Sequence, residues 1–200
     1  MPRPKQRTPE LRDRVLQVAV ATLVAEGAEG FTTRRVAARA RTSTPAVYEL
    51  FGDKAGLVRE VFFEGFRRLR QRFDALAESG DPRRDLIDVI RAFRGFARDY
   101  PVLGQLMFAR PFADFDPGPA EREAGNSTRE FIVAQVRRCV AAGLIAADET
   151  DAAHVLLGLC QGLSTQEAAG WLGSSTASMD RRWDLAVHAL LAGLAAADGG

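Results

Sequence analysis

Residues 41–57, "RTSTPAVYELFGDKAGL", crowd hydroxyls at Thr42, Ser43 and Thr44, a phenol at Tyr48 and an ammonium at Lys54 into one short stretch. All of these groups donate hydrogen bonds, and such donors suit the oxygens of a polyanion. Bond-breaking chemistry has far less to work with. The two histidines, His154 and His188, have no ligand-spaced partner of the His-x-x-x-His or Glu-x-x-His kind. There is also no Gly-rich phosphate loop and no Gly-x-Ser-x-Gly turn. No catalytic residue, metal ligand or cofactor is therefore expected, and an enzyme is the rival class set aside. Cys139 and Cys160, the two cysteines, lie in apolar helical patterns and read as buried reduced thiols of a reducing cytoplasm.

The donors need elements to hold them. Pro45 sits where a helix would begin, so it pre-sets φ instead of breaking a helix, with Ser43 or Thr44 as the cap. That phase turns Val47, Leu50 and Phe51 inward and Thr44, Ala46, Tyr48 and Glu49 outward. Just upstream, Phe31 precedes the candidate N-cap Thr32, and Val36, Ala37 and Ala40 share one face before the turn Arg41-Thr42. Two helices of about seven residues cannot stand alone in water. A third wall is available over residues 9–26, where Leu11, Val15, Val18, Ala19 and Leu23 recur at helical steps. Thr8 caps it, Pro9 takes its first position and Gly27 supplies its stop. This is a helix-turn-helix arrangement, whose second helix presents its N-terminal residues to the major groove.

The remainder also reads as helix. Phe62, Phe66, Leu69, Phe73 and Leu76 form one stripe; Leu86, Val89, Ile90, Phe93 and Phe96 form another. Residues 110–126, "RPFADFDPGPAEREAGN", read as loop or short irregular helix, after which Ser127 and Glu130 have capping-box spacing. Residues 150–172 and 179–197 complete an all-α chain of about nine helices. The 200 residues are 46% hydrophobic and 26% charged, ordinary for a soluble fold. No window approaches a membrane span and no apolar leader follows the basic start, so a soluble, cytoplasmic protein with no membrane partner is expected. Net charge is +1, but residues 1–60 hold 11 Lys and Arg against 7 Asp and Glu, and the rest 16 against 19. That asymmetry reads either as chance or as a basic head.

"FTTRRVAARARTSTPAVYELFGDKAGLV" resembles the DNA-binding head of the TetR family of transcriptional regulators. The features that carry this are Phe31-Thr32-Thr33 before an Ala-x-x-Ala helix, Ser43, the Tyr48-x-x-Phe51 pair, Lys54 and Leu57. The resemblance implies phosphate contacts from Thr33, Tyr48 and Lys54, and base edges met by the segment from Thr42 through Ser43, Thr44 and Pro45 to Ala46. Tyr48 as a ring closing the core and Lys54 as a solvated lysine are the structural alternatives. Arg41 stands where the family usually has glycine; it either accepts a strained backbone or alters the turn, and it offers one more phosphate contact. Glu49 beside Tyr48 repels phosphates unless it accepts from a cytosine amine. The basic arm with Arg3, Lys5 and Arg7 reads equally as DNA contact or as solubilising tail.

The resemblance divides the chain into a DNA-binding domain, 1–55, and a ligand-binding and dimerisation domain, 56–200. Two heads on a dyad read DNA far better than one, so a homodimer on double-stranded DNA is expected. Its interface is assigned to the wide apolar faces of residues 128–143 and 150–172, through Phe131, Val136, Cys139, Val140, Val155, Leu159 and Leu163, with internal core as the alternative. Phe62, Phe66, Phe93, Phe96, Tyr100, Met107, Phe108 and Phe112 form an apolar set that fits either plain core or a pocket for an unknown small apolar ligand. "FARDYPVLGQLMFARPF" with "HVLLGLCQGLSTQEAAGWL" resembles a C-terminal domain bearing a Trp-x-x-x-His-Gly signature, with Leu157 and Gln161 in the first two places and Gly162 kept. That resemblance makes Gln161 the polar anchor of the pocket. It implies a ligand-responsive repressor; a helical ligand-binding or scaffold protein without DNA binding is the alternative.

Overall fold

The computed structural model of the chain describes residues 8–109 and 118–195. Among these there is no strand, and the helices run α1 (Pro9–Gly30), α2 (Thr33–Arg39), α3 (Thr44–Phe51), α4 (Lys54–Asp74), α5 (Pro82–Asp99), α6 (Pro101–Ala109), α7 (Pro119–Ala141), α8 (Glu149–Ala168) and α9 (Thr176–Gly193). The expected all-α class is thus observed. Packing gathers the described parts of Met1–Arg67 and Tyr100–Ala124 into one compact unit and those of Arg68–Asp99 and Gly125–Gly200 into a second.

In the first unit the local signals act as their chemistry dictates. Thr8 Oγ1 accepts from the Leu11 N–H at 3.3 Å and Pro9 opens α1. Leu11, Val15, Ala19 and Leu23 are buried, while Val18 is only half-buried. Gly27, at φ 68°, kinks α1 without ending it, because helical bonding resumes through Gly30. α1 packs on α2 and α6, and α2 packs on α3. Phe31, Val36, Val47, Leu57, Leu103 and Leu106 are sealed within this unit. Each such side chain contributes about 1.5–3 kcal/mol relative to leaving it in water.

The second unit joins α5 to α8 and α8 to α9. Phe73 lies stacked on Phe131 with ring centroids 5.1 Å apart. Both cysteines are buried and unpaired with each other, as expected. Burial pushes the Cys160 thiol up to about 12, and it raises Cys139 as well.

One segment corrects the sequence reading. Residues 119–126 are helical, so Ser127 lies inside α7 and caps nothing. Pro119 is the first residue of α7, where a missing N–H costs nothing. Glu121, two residues on, is 97% enclosed, since only 3% of it is exposed. Burial alone would raise its pKa. Its own backbone N–H and the Arg59 guanidinium outweigh that and hold it below the usual carboxylate range. A helix start held by a partner far away in sequence leaves no short-range signal.

Candidate nucleic-acid interface

The turn between α2 and α3 decides how the donors are presented. Thr32 caps α2 through the Arg35 N–H and Ser43 caps α3 through the Ala46 N–H, each at 3.3 Å. Between them Arg41 adopts φ 54°, the left-handed conformation expected of the glycine it replaces. Its N–H donates to Ala38 O at 3.1 Å and the Thr42 N–H donates to Ala37 O at 3.0 Å. Arginine therefore accepts the strain and the turn is kept. At the other end Gly52, at φ 82°, closes α3 by donating to Tyr48 O at 2.8 Å, a backbone that only glycine holds cheaply.

This frame leaves Arg41, Ser43, Pro45, Tyr48 and Lys54 exposed, and Thr42, Thr44 and Ala46 half-buried. Tyr48 is 45% exposed, so its ring does not close the core. Lys54 is the first residue of α4. Thr33 differs from the sequence expectation: it is buried at 6% exposure, which leaves its hydroxyl little reach toward a phosphate. Neighbouring Arg34 is exposed, and the motif spacing had passed over it.

Four of the described arginines of the head hold helices together. Arg35 and Arg39 both grip Glu26 of α1, and Arg39 also donates to the buried Thr22 hydroxyl at 3.3 Å. Arg14 Nε donates to Ala40 O at 3.2 Å, bracing the turn itself. Arg12 pairs with Glu60 at 2.8 Å and lies over the Phe51 ring. These four arginines are therefore spent on contacts within the chain. Arg3, Lys5 and Arg7 lie outside the described residues.

α3 is thus a capped, eight-residue helix that carries an exposed phenol and is followed by an exposed ammonium at the start of α4, the order of parts in a helix-turn-helix. The family profile described as "Bacterial regulatory proteins, tetR family" matches residues 15–61, and "Tetracyclin repressor-like, C-terminal domain" matches residues 86–190, more than half of the chain. The chain belongs to the TetR family. It is a DNA-binding transcriptional regulator with a TetR-type N-terminal domain and a C-terminal helical domain.

Similar solved structures include a protein of unknown function from Rhodococcus sp. RHA1, 27% identical over 98% of this chain and 100% of that one, with a TM-score of 0.79. A bacterial regulatory protein in the tetR family from Rhodococcus RHA1 is 20% identical, with coverage of 96% and 100% and a TM-score of 0.73. TetR from Acinetobacter baumannii AYE in complex with minocycline is 21% identical, with coverage of 90% and 93% and a TM-score of 0.64. At such identities the last two speak for the fold alone. No curated protein matches this TetR-family chain.

The apolar candidates are divided between the units. In the first, Phe62, Phe66 and Met107 are buried, Tyr100 is half-buried and Phe108 is 37% exposed. The Phe66 ring lies 5.0 Å from Phe62 and 6.1 Å from Phe108. In the second, Phe93 and Phe96 are buried and Gln161 is half-buried on α8. Phe112 lies outside the described residues. Of the residues assigned to a dimer face, Val136 and Cys139 are buried within the single chain, so they are core and cannot meet a partner. Phe131 is stacked on Phe73; Val140, Leu159 and Leu163 are half-buried; Val155 is 52% exposed. The sequence reading had not singled out Trp171 or Leu185, which are 83% and 71% exposed. Periodicity shows an apolar stripe but not which part of it the chain itself covers.

Arg41 gives a prediction of two opposite signs. The left-handed backbone costs an L side chain about 1–2 kcal/mol. Arg41→Gly should therefore raise the melting temperature by about 2–8 °C, while weakening DNA binding through the lost guanidinium. Thermal denaturation and duplex titration of the one variant check both signs.

Proposed function

We propose that this TetR-family regulator is a ligand-responsive repressor. It binds a palindromic operator as a homodimer and is released by a small apolar molecule. The observation that carries the reading is the exposed tip of α3, capped at Ser43 and flanked by exposed Tyr48 and Lys54. Two such tips on a dyad meet half-sites about one helical turn, roughly 34 Å, apart. No Arg, Asn or Gln stands among Thr42–Ala46, so thymine methyl contacts and duplex shape supply much of the readout.

The dimer is proposed to form through the exposed faces of α8 and α9 that carry Val155 and Leu185. Val155 and Leu185 are the large apolar side chains that these two helices leave exposed, and a second copy would take them out of water. Residues 1–55 act as the DNA-binding domain and 56–200 as the ligand-binding and dimerisation domain of a cytoplasmic protein. The C-terminal domain is read as the Trp-x-x-x-His-Gly type, with half-buried Gln161 in the polar position of an otherwise apolar pocket. A relative of the same fold is in complex with minocycline, which supports a small-molecule ligand. Release is a population shift. The ligand favours one arrangement of the helices, and coupling of about 1–3 kcal/mol changes operator affinity by about 5–150-fold. α4 begins at Lys54 in the DNA-binding head and ends in the second unit, which makes it the lever.

The test is duplex binding, using sites selected from random DNA, at low and raised salt. Between 50 mM and 200 mM salt the affinity should fall by about 1,000-fold, as for a dimer neutralising roughly six phosphates. The double variant Val155→Glu, Leu185→Glu should sediment as a monomer and lose most of that dependence. Affinity indifferent to salt, or a chain that is monomeric from the start, would remove the proposal.

A further inference from the structure

α3 passes to α4 through two residues, Gly52 and Asp53. Gly52 sits at φ 82° and ψ −68°, the rarer and strained form of the γ-turn. Asp53 Oδ1 then caps α4 by accepting from the Gly56 N–H at 2.7 Å. So sharp a reversal lays the last carbonyl of α3, that of Phe51, against the first turn of α4. A Cβ added at Gly56 would fall well inside van der Waals contact of the Phe51 oxygen and 3.1 Å from its carbonyl carbon. Added at Gly65, Gly95 or Gly173 it would meet side chains, which can swing aside; at Gly104 it would meet nothing. At Gly56 the obstacle is backbone. We propose that Gly56 is a positioning residue for DNA binding, whose missing side chain seats α3 on α4 and so fixes Tyr48 relative to Lys54. The proposal rests on the reading of those two side chains as phosphate contacts.

Tyr48 lies one turn before Phe51, and Lys54 opens α4. The two are carried by different helices, so the angle at this joint decides whether both reach the duplex together. A backbone overlap cannot be relieved by a rotamer change. One helix must shift as a body, taking its side chain with it, and hydrogen bonds weaken steeply once distance or angle is lost. The joint is also braced from α1. The Arg12 guanidinium lies 5.3 Å from the centroid of the Phe51 ring and pairs with Glu60 of α4 at 2.8 Å, so one side chain grips both sides. Leu57, fully buried, pins the first turn of α4 to the head.

The test is Gly56→Ala, with Gly104→Ala as control. Alanine is the better helix former. Gly104→Ala should therefore raise the melting temperature by about 2–4 °C and leave duplex affinity unchanged. Gly56→Ala should bind every duplex about a hundredfold more weakly, as when the Tyr48 bond is lost at both half-sites. Tyr48→Phe, which should cost as much in the parent, should then cost less than about threefold when added to Gly56→Ala, because the ring no longer reaches its oxygen. Gly56→Ala binding within about threefold of the parent overturns the role. So does a Tyr48→Phe penalty that is equal in the two backgrounds, since the loss would not pass through that contact. Tyr48→Phe silent in the parent removes instead the phosphate contact itself. Should Gly56→Ala fail to fold, NMR of the unaltered protein decides. The Gly56 Hα that faces the Phe51 oxygen should resonate downfield of its geminal partner, both free and on DNA, as a C–H···O contact requires. Equal shifts in either state overturn the seat.

Discussion

A protein carrying Tyr48→Phe is expected to hold every duplex about a hundredfold more weakly than the unaltered chain, with little change in which sequences it prefers. The magnitude follows from one hydrogen bond to a charged oxygen, about 1.5 kcal/mol, lost at each of two half-sites. Lys54→Ala should act through a different term. Removing one ammonium per subunit takes away two counterion-releasing contacts, so the slope of log affinity against log salt should fall by about 1.8. Tyr48→Phe removes no charge and should leave that slope unchanged. Both side chains are exposed on elements whose ends are fixed elsewhere: Tyr48 on capped α3, Lys54 at the first turn of α4. The variants should therefore melt with the parent, and loss of binding reports contact instead of unfolding. Fluorescence anisotropy with cognate and scrambled duplexes at three salt concentrations makes the measurement. Weakening confined to the cognate duplex would mean that these residues read bases, against their assignment as positioning contacts.

The two residues were legible because everything that aims them lies within a few positions in sequence. Thr32 and Ser43 cap and Gly52 closes α3 through bonds spanning three or four residues, while Pro45 fixes φ in the first turn. Arg41 was legible as an anomaly, and its φ of 54° is what keeping the turn requires. What the sequence hid depends on distant partners. α7 starts at Pro119 inside a stretch dense in Pro and Gly, and its first turn is steadied by Arg59, 62 residues away. The basic surplus of the head read either as chance or as a basic surface, and neither reading could show that Arg35 and Arg39 lie on Glu26 and Arg14 on Ala40. Two residues assigned to the dimer face, Val136 and Cys139, are buried in the chain itself for a related reason. Val136 and Val155 are the same residue type on apolar helical stripes, yet one is 1% exposed and the other 52%. Only the packing of other helices distinguishes them.

The largest stability effect is expected at Glu167, where Glu167→Ala should cost about 3–5 kcal/mol, as removing one partner of a buried ion pair does. Its carboxylate, with an 8% exposed side chain, accepts from Arg94 Nε at 2.9 Å and from Arg94 Nη2 at 3.0 Å. The buried Trp183 indole N–H donates to it at 2.6 Å. Arg94 also reaches Asp180 at 2.8 Å, and its guanidinium lies 5.2 Å from the Trp183 ring centroid. Burial tends to lower the Arg94 pKa; Glu167 and Asp180 more than offset it, so the guanidinium stays charged. Three helices, α5, α8 and α9, thus share one knot of charge. Alanine at 167 would leave two guanidinium N–H groups and the indole N–H without their acceptor in a nearly dry place, the costly outcome for polar groups. Against a total stability of about 5–15 kcal/mol, melting should fall by about 10 °C. Replacing both partners, Arg94→Met with Glu167→Leu, should recover most of that loss, because apolar packing often matches a buried ion pair. Circular dichroism with Trp fluorescence follows both variants. A single variant melting within about 2 °C of the parent would show that the knot contributes orientation but no stability. A double variant no better than the single would show that shape, not charge, holds these helices together.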